Sequence, residues 1–155
     1  MIMDDYGNKA QELQSNPLAK QLMAEVANGD PSAFQWMWDF WCFTHVIDDL
    51  VDKDKPVTGE EAARALAKFV TALSVNPFYV RNVHSLYPLI ISACNRWVDG
   101  DLLDAADNLR SKTHSEVVRC GDVDVFLHVA YLTGGWDHMR KLSMRVRMYD
   151  QNMEV

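Results

Sequence analysis

The stretch AFQWMWDFWCFTHVIDDLVD, residues 33–52, decides the fold of this chain. It contains three of the five tryptophans and ends in a cluster of three aspartates. At about 100° per residue, Asp48, Asp49 and Asp52 fall within roughly a third of the circumference of a helix. Below that acidic end, apolar residues occupy both sides of the helix. We therefore predict a central helix that is surrounded by the rest of the fold.

The segments around this helix also have the spacing and the boundary signals of helices. Three Asx-Pro pairs and one capping box predict helix starts, because an Asn, Asp or Thr side chain caps the first turn and proline fits its first position. Asn28-Gly29, Asp99-Gly100, Cys120-Gly121 and Gly134-Gly135 predict breaks, and Pro88 predicts a kink or an interruption. The predicted starts are Asn16-Pro17, Asp30-Pro31, Asn76-Pro77 and Thr58 with Glu61.

No segment alternates between polar and apolar residues as a strand would. The sequence thus predicts an all-α fold, a compact single-domain bundle of about six or seven helices over residues 1–155. We expect residues 1–8 to form a loose polar leader.

The bulk composition narrows the possible functions and locations. The formal net charge of -7 argues against nucleic acid as a partner. The three cysteines, Cys42, Cys94 and Cys120, have no metal-binding spacing and favour a reducing compartment. Neither a signal peptide nor a membrane span is indicated. We therefore expect a soluble, cytoplasmic protein.

The aspartate cluster is the candidate metal site. Three carboxylates on one helical face repel one another unless a cation compensates them, and Mg²⁺ prefers hard oxygen ligands together with water or phosphate. Asp101 and Asp104 form a second acidic stripe, and facing carboxylates from two helices are how metal sites are built in bundles. The sequence leaves open whether both stripes are simply solvated helix surfaces.

An aromatic pocket is the second part of this hypothesis. Trp38, Trp41 and His45 lie on the same side of the helix as the aspartates, one to three turns below them. They would form the floor of a pocket whose mouth is acidic. The alternative is that the two tryptophans are ordinary core residues.

The segment FWCFTHVIDDLVD, residues 40–52, resembles the first aspartate-rich motif of the isoprenoid synthases, in the form found in squalene and phytoene synthases. The resemblance implies an all-α bundle in which Asp48, Asp49 and Asp52 hold Mg²⁺ that binds an isoprenyl diphosphate. The second motif of the family is not matched, because Asn108, Ser111 and Glu116 lack its spacing.

Two further functions remain open from the sequence. The pairs Asp49/Asp52 and Asp101/Asp104 resemble the paired acidic motifs of the MazG and dimeric dUTPase group, which implies a Mg²⁺-dependent nucleotide pyrophosphatase. A non-enzymatic helical protein that serves in interaction or assembly needs no special chemistry. The apolar surface of so aromatic a chain could also be the interface of a homo-oligomer.

Overall fold

A computed structural model describes residues 16–52, 56–106 and 108–150, without the side chains of Asp52 and Asp150. The predicted leader, residues 1–8, lies outside this range. No strand occurs in the described residues, and the prediction of an all-α fold is confirmed. Their helices are α1 (Pro17–Ala27), α2 (Pro31–Asp52), α3 (Gly59–Val75), α4 (Pro77–Asp104), α5 (Leu109–Arg119) and α6 (Gly121–Asp150). In the same residues, none of these helices combines the length and the apolarity needed to cross a membrane.

The predicted helix starts are confirmed by capping hydrogen bonds. The side chain of each Asx residue accepts a hydrogen bond from a backbone N–H in the first turn of its helix, which would otherwise lack an acceptor. Thr58 and Glu61 form a reciprocal capping box at the start of α3. The backbone donors are Ala19 to Asn16 at 3.1 Å, Ser32 and Ala33 to Asp30 at 2.8 and 3.1 Å, and Tyr79 to Asn76 at 3.0 Å.

The predicted break at Asp99-Gly100 is wrong. Helix α4 continues to Asp104, and the break comes after it, where Asn108 caps α5 by accepting the backbone N–H of Ser111 at 2.9 Å. Gly100 is buried inside the helix, and a Cβ placed there would lie 2.4 Å from Cγ of Arg119. Glycine is therefore needed at position 100 because the Arg119 side chain packs against it, and not because the backbone turns there.

Helix α4 also continues through Pro88, so the proline does not interrupt it. The break predicted at Gly134-Gly135 is confirmed in a reduced form: Gly135 alone leaves the helical conformation, with φ 77° and ψ -171°, inside α6. A positive φ of this kind is accessible to glycine at little cost. Because two expected breaks lie within helices, α4 and α6 are longer than the sequence predicted.

The chain divides into two compact units, Met1–Arg81 and Asn82–Val155. The first unit is built around α2, as the sequence predicted. All seven residues from Trp36 to Cys42 are buried, so this part of the helix is covered on every side. The ring of Trp36 stacks on Phe40 at 5.4 Å and on Tyr79 at 5.6 Å between ring centroids. Phe69 of α3 stacks on Phe43 at 4.3 Å.

The second unit has an aliphatic core. A Cβ at Gly121, the first residue of α6, would lie 2.8 Å from Cα of Ala93, so the backbones of α4 and α6 approach closely there. Among the described residues of this unit, the buried hydrophobic side chains are Leu86, Val123, Val125, Leu127, Val129, Ala130, Leu142 and Val146.

Candidate functional site

The acidic end of α2 is partly buried. Asp49 is 6% exposed, and Asp48 has intermediate exposure. Asp52 is the last residue of the helix, and its side chain lies outside the description. The core of the first unit thus extends up to the aspartate cluster.

The three predicted pocket residues form a continuous aromatic row on α2. The Trp38 and Trp41 rings lie 5.7 Å apart, and the edge of the His45 ring meets Trp41 at 4.8 Å. Nδ1 of His45 lies 2.9 Å from the carbonyl oxygen of Trp41. A carbonyl only accepts hydrogen bonds, so Nδ1 carries a proton, and in the neutral form of the ring Nε2 is the basic atom.

Both tryptophans of this row are core residues. Trp38 is 0% exposed, Trp41 is 6% exposed, and the Lys20 ammonium lies 5.4 Å from the centroid of the Trp38 ring. The indole N–H groups of Trp36 and Trp38 are buried and have no hydrogen-bond acceptor among the described residues. Two unsatisfied indole donors in one core are a local cost of its aromatic packing.

Another buried carboxylate, which the sequence did not indicate as a site residue, lies nearer the start of the same helix. Asp39 is 8% exposed and accepts a hydrogen bond from Nε2 of Gln35 at 3.1 Å. The other six residues of the buried run from Trp36 to Cys42 are hydrophobic, which leaves the Asp39 carboxylate few routes to solvent. Gln35 could have indicated this hydrogen bond from the sequence, because residues four positions apart are neighbours on a helix.

The second predicted acidic stripe is engaged by an arginine. The guanidinium of Arg119 lies 2.7 Å from Asp101 and 3.8 Å from Asp104, and Oγ of Ser115 donates to Asp104 at 3.4 Å. The Arg119 side chain packs against Gly100, where the missing Cβ leaves room for it. The arrangement ties the last turn of α5 to the last turn of α4. These two carboxylates therefore have a structural partner within the second unit.

A second arginine plays a similar role in this unit, and sequence reasoning missed it. Arg96 donates to the carbonyl oxygens of Val118 at 3.0 Å and Val117 at 3.2 Å, and it pairs with Asp124. Arg147 also pairs with Asp124, at 3.0 Å. The carbonyls at the end of a helix lack partners within it, so an arginine from another helix can satisfy them. No local pattern indicates such a contact.

The described donor atoms do not by themselves make a metal site. Within residues 16–52, 56–106 and 108–150, no three His, Cys, Asp or Glu side chains are grouped closely enough to hold a metal ion. The Asp52 carboxylate, which the sequence places in the site, is not part of that description. Binding of Mg²⁺ at Asp48, Asp49 and Asp52 stays a prediction.

The most extensive candidate surface lies on α4. Tyr87, Ile91, Val98 and Leu102 are 55%, 60%, 59% and 69% exposed. At about 100° per residue, their positions fall within roughly 60° of the helix circumference, so they share one side, which we call the α4 face. Leu86, on another side of the helix, is 0% exposed and supplies the contact with the core. The α4 face is therefore apolar surface that the core of the unit does not use.

Tyr87 and Ile91 of the α4 face lie in a stretch of sequence without charged side chains. The 14 residues from Asn82 to Asn95 contain no Asp, Glu, Lys or Arg. A helix at the protein surface normally has charged or polar residues on the side that faces away from the core. This run was the signal that sequence reasoning overlooked.

Comparison of the chain with protein-family models, with curated proteins and with solved structures gives no significant match.

Proposed function

We propose that this chain is a helical interaction protein whose docking surface is the α4 face. One observation carries the proposal: four large apolar side chains, each more than half exposed, lie along one side of a helix that has no charge from residue 82 to residue 95. Soluble proteins rarely leave such a contiguous area to water unless it binds something.

The size and chemistry of the α4 face fit a protein partner. Together the four side chains expose on the order of 400 Å², in the range of the largest patches on monomeric proteins, which are often functional. Interface cores are depleted in charged residues and enriched in tyrosine, and the α4 face has both properties. Ser92, Cys94 and Asn95, the small residues beside the apolar ones, also leave a partner free to approach the helix closely.

A paired set of variants tests this function. Ile91→Asp with Val98→Asp places two charges in the centre of the α4 face, where both native side chains are exposed and folding does not require them. Leu109→Asp is the matched control, because Leu109 is 83% exposed and an acidic residue suits the first turn of α5. Each variant is tested for binding to proteins that co-purify with the full chain, by sedimentation of purified pairs.

We expect the double variant to lose the partner and the Leu109→Asp control to keep it. Circular dichroism should show the same helix content in all three proteins, so that loss of binding is not loss of fold. A partner that binds the double variant as tightly as the wild type would place the docking surface elsewhere and contradict the proposal.

A second candidate function is the Mg²⁺-dependent binding of a diphosphate at Asp48, Asp49 and Asp52. Its specific support is His45, whose Nδ1 is held by the Trp41 carbonyl. Metal-binding histidines usually have one ring nitrogen fixed in this way, which orients the other. Asp48 and Asp49 lie about one turn from His45, and their carboxylate oxygens, not the imidazole nitrogen, are donors of the kind that magnesium uses.

Isothermal titration calorimetry tests whether Mg²⁺ and a diphosphate bind at this site. Wild-type protein is titrated with Mg²⁺ alone and with Mg²⁺ plus inorganic pyrophosphate, and an Asp48→Asn, Asp52→Asn variant is titrated in the same way. The candidate predicts binding and a rise in Tm for the wild type alone, because a ligand that binds only the folded state stabilises it. Identical heats for the two proteins would exclude the site.

The nucleotide pyrophosphatase reading has less support. It needs Asp101 and Asp104 as metal ligands, but their carboxylates are paired with Arg119. An arginine competes with a cation for the same oxygen atoms. Release of pyrophosphate from nucleoside triphosphates in the presence of Mg²⁺ would restore this alternative.

A further inference from the structure

We propose that a second docking surface lies on the last part of α6 and binds a short acidic peptide segment that carries large apolar side chains. The surface, which we call the α6 stripe, consists of Trp136, Arg140 and Met144, with Lys141 at its edge. It is separate from the α4 face and does not rest on the function proposed for that face.

The chain reverses direction inside α6. The guanidinium of Arg147 lies 3.0 Å from the Asp124 carboxylate, whereas an unbroken helix would place residues 23 positions apart about 34 Å from each other. The turn lies at Gly135, whose φ of 77° and ψ of -171° only glycine adopts at low cost. Residues 136–149 therefore form a separate helical run that returns along the first part of α6.

This helical run has a buried side and an exposed side. Leu142 and Val146 are 1% and 6% exposed and supply its contact with the core. At about 100° per residue, the residues of the α6 stripe fall within roughly 80° of the circumference, away from that buried side. Trp136 is 63% exposed, Met144 is 61% exposed, and Arg140 between them is exposed as well.

The run is basic in an acidic protein. Residues 136–149 contain four Lys or Arg residues and one Asp, a net charge of +3, whereas the whole chain carries -7. The rest of the chain therefore carries -10. A local charge opposite to that of the surrounding protein attracts ligands of the other sign to that place.

The charges of Arg140 and Lys141 are available to a ligand. Arg140 donates to Oγ of Ser143 at 3.1 Å, a neutral acceptor that orients the guanidinium without neutralising it. In the described part of the chain, no carboxylate, Asp137 included, forms an ion pair with Arg140 or Lys141. Arg147 lies in the same sector of the helix, but its charge is already compensated by Asp124.

The side chains of the α6 stripe are of the types found in protein interfaces. Aromatic residues, Met and Arg are enriched there, and Trp and Arg are among the commonest residues that dominate binding energy. Trp136 and Met144 each lie about one turn from Arg140, on either side of it. A ligand that combines carboxylates with large apolar side chains is complementary to both the charge and the apolar contacts.

The extent of the α6 stripe favours a short ligand. The stripe covers about 12 Å of helix, and exposed charges act over about 8 Å at physiological ionic strength. A short acidic segment therefore meets mainly Arg140 and Lys141. A nucleic acid or an anionic membrane also meets the acidic remainder of the protein, which repels it.

Selection from a phage-displayed library of random peptides, about 12 residues long to cover the stripe, tests this proposal with the full chain as bait. Wild-type protein should enrich peptides that combine several aspartates or glutamates with leucine, phenylalanine or tryptophan. By fluorescence anisotropy these peptides should bind with dissociation constants on the order of 1–100 μM. Binding should weaken several-fold between about 50 and 300 mM salt, because salt screens the charges.

Charge reversal of the stripe should abolish most of this binding. Arg140→Glu with Lys141→Glu should raise the dissociation constant on the order of 10-fold or more. Arg110→Glu with Lys112→Glu is the matched control, because it changes the net charge by the same amount at two exposed positions of α5. The control should bind within about twofold of the wild type.

Truncation of the apolar part gives a second, independent readout. Trp136→Ala should raise the dissociation constant on the order of 10-fold, since tryptophan often dominates the energy of an interface. Leu109→Ala, which removes a side chain that is 83% exposed, should leave it unchanged. Circular dichroism should show the same helix content in all of these variants, because every substituted side chain is exposed.

The proposal is overturned if wild-type protein enriches no acidic peptides with apolar residues, or if these bind the reversed variant as tightly. It is also overturned if the Arg110 and Lys112 control loses binding equally, since net charge alone would then explain the result. Stripe-dependent binding only to vesicles with about 30% phosphatidylserine, or only to single-stranded DNA, would assign the stripe to a membrane or a nucleic acid instead.

One more variant separates the α6 stripe from the α4 face. Ile91→Asp with Val98→Asp should bind the selected peptides as the wild type does, because neither residue belongs to the stripe. If this variant loses the peptides and the stripe variants keep them, the peptides occupy the α4 face. In that case the α6 stripe is excluded and the function proposed for the α4 face stands.

Discussion

The two units of this chain are held together by different chemistry. In the first, aromatic rings of α2, α3 and the start of α4 stack on one another, and Trp36 alone contacts Phe40, Phe78 and Tyr79. In the second, two arginines connect α4 with α5 and α6, and the buried core is aliphatic in the residues described. Helix α2 is covered on all sides over seven residues, whereas α4 keeps an apolar side exposed.

The difference shows that two units built only of helices can be held together by different interactions. Aromatic side chains bury a large area each, so the first unit obtains its stability from a few residues. The second unit uses directional hydrogen bonds between helices, which need little apolar area. Some of its apolar residues, those of the α4 face, therefore remain exposed to solvent. Four predictions test this contrast.

The largest effect is expected for Trp36→Ala. The side chain is 0% exposed, and truncating a buried tryptophan removes its apolar contacts and leaves a cavity, at a cost of about 3–5 kcal/mol. Denaturant unfolding followed by circular dichroism measures the loss. Trp136→Ala is the matched control, because Trp136 is 63% exposed and its removal should change the free energy of unfolding by less than about 0.5 kcal/mol. Equal losses would contradict the aromatic account of the first unit.

Arg96→Ala should have the next largest effect. It leaves the carbonyls of Val117 and Val118 and the carboxylate of Asp124 without this donor, at a cost of about 2–3 kcal/mol in denaturant unfolding. Arg96→Lys should recover little of it, because an ammonium cannot reach the three acceptors as the planar guanidinium does. Full recovery with lysine would mean that charge alone matters.

The exposed ion pair between Arg64 and Glu60 gives the control for that experiment. These residues lie one turn apart on α3, with side chains 44% and 80% exposed. Arg64→Ala should cost no more than about 0.5 kcal/mol. A loss as large as that of Arg96→Ala would show that contacts between helices do not make an arginine more important than an exposed ion pair within one helix.

Gly121→Ala should cost about 1–3 kcal/mol, since the new methyl group would lie 2.8 Å from Cα of Ala93 and would push α6 away from α4. Gly59→Ala, at the start of α3, has no atom within 4 Å of the new Cβ. That control should be neutral or stabilising by up to about 1 kcal/mol, because alanine restricts the unfolded chain. Thermal unfolding of both variants measures the difference, and a stable Gly121→Ala protein would argue against close packing here.

The smallest effect concerns His128, whose pKa is lowered by burial. Its Nε2 atom is buried and has no hydrogen-bond partner among the described residues. As the pH falls through the unfolded pKa of about 6.5, the unfolded chain binds the proton first, so this group makes the fold less stable at acid pH.

Urea midpoints at about pH 7.5 and 5.5 measure this dependence on both sides of the unfolded pKa. His128→Gln should flatten the change in stability between the two values. His114→Gln, which alters an exposed histidine, should keep the wild-type dependence. An unchanged slope in His128→Gln would show that protonation of other groups causes the loss at acid pH.

Much of the fold could be predicted because its determinants are local. Asn16, Asp30, Thr58 and Asn76 start their helices by bonding to residues two or three positions ahead, and the sequence shows both partners. The central place of α2 followed from apolar residues on both of its sides. The candidate site was harder to predict from the sequence. The acidic pattern at residues 101 and 104 is the same for a metal site and for a carboxylate pair bound by an arginine.

The sequence by itself determined the all-α class, the capped helix starts and the central helix at residues 33–52, because caps and periodicity act over one or two turns. Only the tertiary structure decided that Arg119 binds Asp101 and Asp104, and that Gly100 is a packing position instead of a break. It also decided which apolar side of α4 is covered and which is exposed. These outcomes depend on residues distant in sequence that meet in space, and no local pattern contains that information.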